Sequence, residues 1–415
     1  MSGKSKYPRQ RLKFAATIND EALAEDVDPD FEIQYIDIGN VDSSGAVHEI
    51  ATYRFEVAPS RARRIVRDGD VIISTVRTYL QAIASISSPP DNLIVSTGFA
   101  VIRPRPGALD AKFCRYVLRE PIFLAEVEMR STGISYPAIN ASEVGDIAIP
   151  YPPLPEQGVI ADFIEAEFDH IDALIAAKQR LLDLLAEKRR AVVAEAVMRG
   201  LDPTAQLRPS GVDWLGEIPA HWDVRRVATL FTQRDERSQP ELPLLEVSIS
   251  SGVIVREFSN DKIEGTASDF NTYKVARCGD IAFNKMRMWQ GAVGVAPVDG
   301  LVSPDYTVAE AASCLRPEYA GLLFRTDSFS AESGRNSQGI TWDRLRLYWD
   351  GFRDIFMPLP PLAEQDAIVE VAQVEAAKID RLRAATEHSI TLLKERRGAL
   401  IAAAVNGQID IREAA

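Results

Sequence analysis

The stretch IAIPYPPLPEQGVIADFIEAEFDHIDALIAAKQRLLDLLAEKRRAVVAEAVMRGLD, residues 147–202, occurs twice in this chain. The second copy, IFMPLPPLAEQDAIVEVAQVEAAKIDRLRAATEHSITLLKERRGALIAAAVNGQID, fills residues 355–410. The copies align at a constant offset of 208 residues without a gap, with 23 identities in 56 positions. The identities include Pro152/Pro360, Pro153/Pro361, Glu156/Glu364, Gln157/Gln365, Ile171/Ile379, Asp172/Asp380, Glu187/Glu395 and Arg189/Arg397. So long a period is not that of a solenoid repeat, which recurs every few tens of residues. It is the mark of a duplicated half-protein.

Each copy reads as one long helix. Pro153 and Pro155 are at home in a first helical turn and nowhere deeper. Glu156 places a carboxylate at the positive end of the helix dipole. Apolar residues then recur at helical spacing, at Ile160, Ile164, Ile171, Leu174, Ile175, Leu181, Leu182, Leu185, Val192, Val193 and Ala196. Gly200 and Pro203 stop the first helix, and Asn406-Gly407 the second. About forty residues make a rod of roughly 60–65 Å. A rod of that length needs a partner of similar length to cover its stripe, and the other copy supplies one.

Between and before the helices lie two variable segments of mixed character. The first shows short strand-like runs, Phe31–Gly39, Asp68–Arg77 and Asn92–Pro104, then a helix near Lys112–Glu128 and a polar loop at Arg130–Ile139. The second echoes it in skeleton only. Gly279, Asp280 and Arg287 stand where Gly69, Asp70 and Arg77 stand, and RNSQGITW (335–342) answers RSTGISYP (130–137). The expected division is a globular domain at 1–149, a long helix at 150–202, a linker and second globular domain at 203–354, and a second long helix with a tail at 355–415.

The formal net charge is −13, and residues 1–147 carry 17 Lys/Arg against 20 Asp/Glu, so the chain has no broadly basic surface. MSGKSKYPRQ lacks the apolar core of a signal peptide, and no apolar run is long enough to span a bilayer. Three scattered cysteines, Cys114, Cys278 and Cys314, suit a reducing cytoplasm. No phosphate-binding loop, nucleophile elbow, metal-ligand pair or methyltransferase tetrapeptide is present, so no active site is expected in this chain.

Recognition residues are a different matter. Each variable segment carries a cluster of long polar and aromatic side chains after its GD turn. In the first these are Arg77, Thr78, Tyr79 and Gln81; in the second, Lys285, Arg287, Trp289 and Gln290. A second loop adds Arg130, Ser131 and Thr132, or Arg335, Asn336, Ser337 and Gln338. Arg, Lys, Asn and Gln are the side chains that read base edges bidentately, and aromatics can stack on bases. The aspartates of the GD pairs read as turn residues rather than catalysts.

The whole pattern resembles the specificity subunit of type I restriction–modification systems. The residues carrying the resemblance are PLPEQ and PLAEQ opening the helices, the ID pair within each, EKRRAVVAEAVMRGLD, the linker SGVDWLGEIPAHW and the two GD-x6-R strands. The resemblance covers essentially the whole chain; the first domain departs from it by beginning YPRQRLKF in place of a WLGEIP-type lead-in. It implies an α+β chain: two globular target-recognition domains joined by two long antiparallel coiled-coil helices with pseudo-twofold symmetry. It further implies a non-catalytic cytoplasmic protein that binds double-stranded DNA, each domain reading one half of a bipartite site. Partners would be two modification subunits, which bind S-adenosylmethionine and methylate adenine at N6, and two restriction subunits that can join and use ATP and Mg. This chain would hold no cofactor itself. A second reading keeps the helices alone: a coiled-coil scaffold or adaptor protein without DNA reading.

Overall fold

The computed structural model describes residues 5–256, 270–341 and 344–411, so Trp342 and the extreme termini lie outside the described residues. The chain divides into two compact units. Unit 1 holds residues 1–179 and 387–415, and unit 2 holds residues 180–386. Each unit therefore takes part of both long helices.

Unit 1 is built on an antiparallel sheet of β1 (Ala16–Ile18), β2 (Val71–Ser74), β3 (Ile83–Ser85) and β4 (Phe99–Pro104), in the order β1-β4-β2-β3. Val71, Ile73, Ile83, Ala100 and Ile102 alternate onto a core shared with Phe113, Val117 and Phe123. A second four-stranded sheet adds the strands Glu32–Ile36, Ala51–Arg54, Ala62–Ile65 and Leu93–Ser96. Helix α1 (Pro121–Arg130) starts with proline in its first turn and carries Glu120 as its N-cap.

The first long helix, α2, runs Leu154–Arg199, 46 residues. Within unit 1 its first turns, with Ile160, Ile164 and Phe168, bury against Leu400, Ile401, Ala404 and Val405. Those four belong to the end of the second long helix.

Unit 2 repeats the central sheet with β5 (Phe231–Arg234), β6 (Ile281–Asn284), β7 (Val293–Val295) and β8 (Tyr306–Ala311), in the order β5-β8-β6-β7. Helix α3 (Asp327–Arg335) takes the place of α1. The second long helix, α4, runs Leu362–Val405, 44 residues. Within unit 2 it is the start of α4, at Ile368, that shares a core with the end of α2, at Ala196 and Val197. In each unit, then, the beginning of one helix meets the end of the other, which is the antiparallel pairing expected of the stripes.

The charged identities of the repeat explain part of this register. In unit 1 Asp172 pairs with Arg397 at 2.9 Å, and in unit 2 Asp380 pairs with Arg189 at 3.8 Å. These are the same two repeat positions paired crosswise. The stripe is not closed along its whole length: Leu174, Leu181, Leu184, Leu382 and Leu392 remain 38–61% exposed.

Candidate nucleic-acid interface

Both units hang their candidate loop from the same turn. Asp70 is 1% exposed and accepts the backbone N–H of Arg67 at 2.7 Å, Arg103 Nε at 2.9 Å and Arg103 Nη2 at 2.8 Å. Asp280 accepts the backbone N–H of Arg277 at 2.9 Å, Arg234 Nε at 2.7 Å and Arg234 Nη2 at 3.3 Å. A buried carboxylate gripped by a guanidinium fork is an anchor of the fold. The turn reading of these aspartates therefore acquires a stronger partner than sequence suggested. Around them Glu21 binds Arg67 and Arg103, and Glu236 binds Arg277. The hydrogen-bonded guanidinia of Arg67, then Arg103, hold the Glu21 carboxyl down at about 2.

Beyond the turn, β2 ends at Ser74, whose N–H bonds Ala82 O, and β6 ends at Asn284, whose N–H bonds Ala292 O. The loops between, 75–81 and 285–291, are equal in length. Each contains one 3-10 turn, Thr78–Leu80 or Met288–Gln290. Each leaves it through a left-handed residue, Gln81 at φ 49° or Gly291 at φ 86°. In this register Arg77 matches Arg287 and Tyr79 matches Trp289. Gln81 falls opposite Gly291, so Gln81 and Gln290 sit one position apart. Arg77 is itself left-handed, with φ 52°, whereas Arg287 has φ −129°.

The second predicted loop lies against the first in both units. In unit 1 Val76 and Thr132 each bridge to Ala138, and Ile139 N–H bonds Thr75 O at 2.9 Å. The Arg77 guanidinium stacks over the Tyr136 ring at 4.9 Å. In unit 2 Leu347 N–H bonds Lys285 O at 2.8 Å, and Gln338 and Arg346 exchange two backbone bonds of 2.9 Å. An open cleft of about 620 Å³ adjoins Arg287, lined also by Ser248, Arg256, Tyr273, Asn284 and Tyr306.

The candidate residues now separate into two groups. Several are engaged inside the protein. Thr78 is 7% exposed and its hydroxyl meets that of Ser131 at 2.9 Å. Arg130 binds Glu126 at 2.8 Å, and Arg335 lies 3.6 Å from Glu332. Asn336 donates to Glu332 O and Ser337 to Ser333 O, closing α3. Thr132 is committed through its backbone to the Ala138 bridge. Trp289 donates its indole N–H to Met286 O at 3.0 Å. The others face outward: Tyr79, Gln81, Arg287 and Gln290 are exposed, with half-buried Lys285 among them. Among the described residues Arg77, Lys285 and Arg287 form no ion pair with a carboxylate.

One buried pair was visible only as an identity. Gln157 and Gln365 are both fully buried. Gln157 accepts the Asp110 N–H at 2.8 Å and donates to Pro152 O at 3.0 Å and Ala108 O at 3.3 Å. Gln365 accepts the Arg316 N–H at 2.7 Å and donates to Pro360 O at 2.8 Å and Cys314 O at 3.1 Å. The glutamine of PLPEQ and PLAEQ thus staples the helix start to the chain leaving the central sheet. Glutamate could not serve, since the site needs one acceptor and two donors.

Among the described residues no group of three or more His, Cys, Asp or Glu could hold a metal ion. No helix there is long and apolar enough to cross a membrane.

The type I restriction modification DNA specificity domain family, Methylase_S, matches residues 32–183. Over 393 residues the chain is 20% identical to the type I restriction enzyme EcoBI specificity subunit of Escherichia coli, covering 83% of this chain and 80% of that protein. Over residues 32–183 the chain is similar to type I DNA specificity domains, and over most of its length to a type I specificity subunit. A match to the putative MjaX specificity subunit of Methanocaldococcus jannaschii is 23% identical and spans 38% of this chain but only 36% of that protein. A solved structure concerning complex assembly and conformational transition of the type I R-M system shares the fold. It is 22% identical with a TM-score of 0.73, and the alignment covers 98% of this chain and 100% of that one.

Proposed function

We infer that the chain is the DNA-specificity subunit of a type I restriction–modification complex, each unit reading one half of a bipartite site. The observation that carries this is a shared frame with diverged tips. The GD anchor, the equal seven-residue loop, the matched Arg77 and Arg287 and the buried glutamine recur, while the other outward side chains change from Tyr79 and Gln81 to Lys285 and Gln290. Two heads of one build and unlike chemistry suit two unlike half-sites. Those six residues are the proposed base and phosphate contacts.

The leucines left exposed along α2 and α4 support docking of modification subunits, two in number to match the two repeats. Adenine-N6 methylation with S-adenosylmethionine would then be work of those partners, and ATP- and Mg-dependent restriction that of further subunits. The acidic chain fits this division, because most phosphate neutralisation would fall to the partners. Sequencing the methylome of a host with and without the gene tests the reading. The expected result is a gene-dependent, asymmetric, two-part motif. A palindromic or continuous motif, or none when the partner subunits are present, would overturn it.

A further inference from the structure

Beside each recognition loop stands an isoleucine whose side chain is fully exposed. Ile134 is 103% exposed and Ile340 is 101% exposed. They occupy the same place in the two units, each just after a glycine in the loop that packs on the reading cluster. That glycine is compelled by its surroundings. A β-carbon at Gly133, which has φ +108°, would lie 3.1 Å from the Tyr136 carbonyl oxygen. A β-carbon at Gly339 would lie 2.7 Å from the Arg344 carbonyl oxygen. Both loops are thus drawn tight, and both turn the next side chain out.

Nothing in the turn requires that side chain to be apolar; serine or threonine, abundant in both loops, would serve the backbone equally. A single exposed apolar residue is ordinary on a protein surface. The same one at the same tip of two heads that have changed most other tip residues is a retained feature. Its setting selects the occupant. In unit 1 it stands beside Arg77 stacked on Tyr136, and in unit 2 in the loop tied to Lys285. An apolar point among unpaired cations suits a polyanion with an apolar stack inside, which is duplex DNA.

We propose that Ile134 and Ile340 are wedges, each inserting between adjacent base pairs of one half-site. The inference rests on the DNA-reading function given above and adds to it a deformation: each head unstacks one base step, and part of its specificity comes from how easily that step opens.

The test uses the assembled methyltransferase complex and its motif as defined by the methylome. A 2-aminopurine probe is placed singly at each position of both half-sites other than the methylated base. Ile134→Ala and Ile340→Ala are compared with the parent; at fully exposed positions neither substitution can disturb packing. The expected result is a brightened step in each half-site. Ile134→Ala abolishes one and Ile340→Ala the other, and each weakens binding roughly tenfold or more, the loss of one buried isoleucine side chain. The salt dependence of binding stays unchanged, since no charge is removed. Tight, sequence-specific binding with every probe dark overturns the wedge and leaves the DNA-reading function standing. So does a brightened step that survives both substitutions. If Ile134→Ala instead prevents modification subunits from joining, as read by gel filtration, the tip is a protein contact and the proposal fails.

Discussion

Units 1 and 2 place the same aspartate at the same turn and supply its guanidinium from different strands. Asp70 takes Arg103 from β4, whereas Asp280 takes Arg234 from β5. Where β4 carries Arg103, β8 carries Glu310, which pairs with Arg234 at 3.0 Å. The charge has changed hands across a pair of neighbouring strands while the buried carboxylate stayed. The second sheet differs more. Unit 1 completes four strands there, one pair of them parallel, whereas among the described residues of unit 2 two two-stranded ladders, Leu245–Ser248 with Gly252–Val255 and Lys274–Ala276 with Gly300–Val302, are joined by a single parallel bridge of Leu244 to Leu301. What survives duplication is what the interior demands: a satisfied buried acid, a satisfied buried amide and a loop of fixed length. What drifts is most, though not all, of what faces water or a ligand.

The sharpest way to break this comparison is to remove the shared acid. Asp70→Ala and Asp280→Ala should each cost about 3–5 kcal/mol, because a guanidinium and a turn N–H lose a buried partner. Hydrogen exchange should show the loss confined to the unit mutated; a loss spread over both units would show that the frame is not carried by each separately. Next come the helix staples. Gln365→Leu leaves three polar backbone groups without the bond it gave them and Gln157→Leu two, since Ala108 O keeps the Tyr151 hydroxyl at 2.7 Å, destabilisations of about 3 and about 2 kcal/mol by urea denaturation. No measurable cost from either substitution would show that the staple is redundant.

The outward residues should behave in the opposite way. Arg77→Ala and Arg287→Ala should leave stability unchanged and relax reading of different half-sites by about 1–3 kcal/mol, measured by binding to singly substituted duplexes. A uniform loss over all sequences would make either arginine a phosphate contact. The smallest effect is electrostatic. Glu21 is held at about 2, below its ordinary 4.5, so its stabilisation is present above pH 4.5 and is lost as pH falls toward 2. Water screens the site, so the contribution at neutral pH stays below about 1 kcal/mol. The gap in melting temperature between the parent and Glu21→Gln should shrink between pH 5 and pH 3; a constant gap would contradict the ion pairing.

The long helices were legible because prolines, a dipole-facing glutamate and a sustained apolar period all act locally. Helix α2 starts at Leu154 and ends at Arg199, within a residue or two of where Pro153 and Gly200 place it. The GD turns and the loop after them were legible for the same reason. Gln157 was not, since its partners lie 47 and 49 residues away and leave no local pattern. Nor could sequence tell Tyr79 from Thr78, one facing water and the other tied to Ser131, because burial on a 3-10 turn is decided by the neighbouring loop.

Unit 1 is assembled from both extremities of the described chain. Lys6 N–H bonds Asn406 O at 2.8 Å, the Asn406 amide reaches buried Glu120 at 3.3 Å, and Leu400 to Val405 fill the unit's core. Unit 2 is one continuous stretch, residues 180–386. During synthesis, unit 2 has every residue it needs while the last strip of unit 1 is still inside the ribosome. Domains generally fold from the N-terminus onward. Here the first half to be made is the last to be finished, and its exposed apolar groove must wait some two hundred residues for its closing helix.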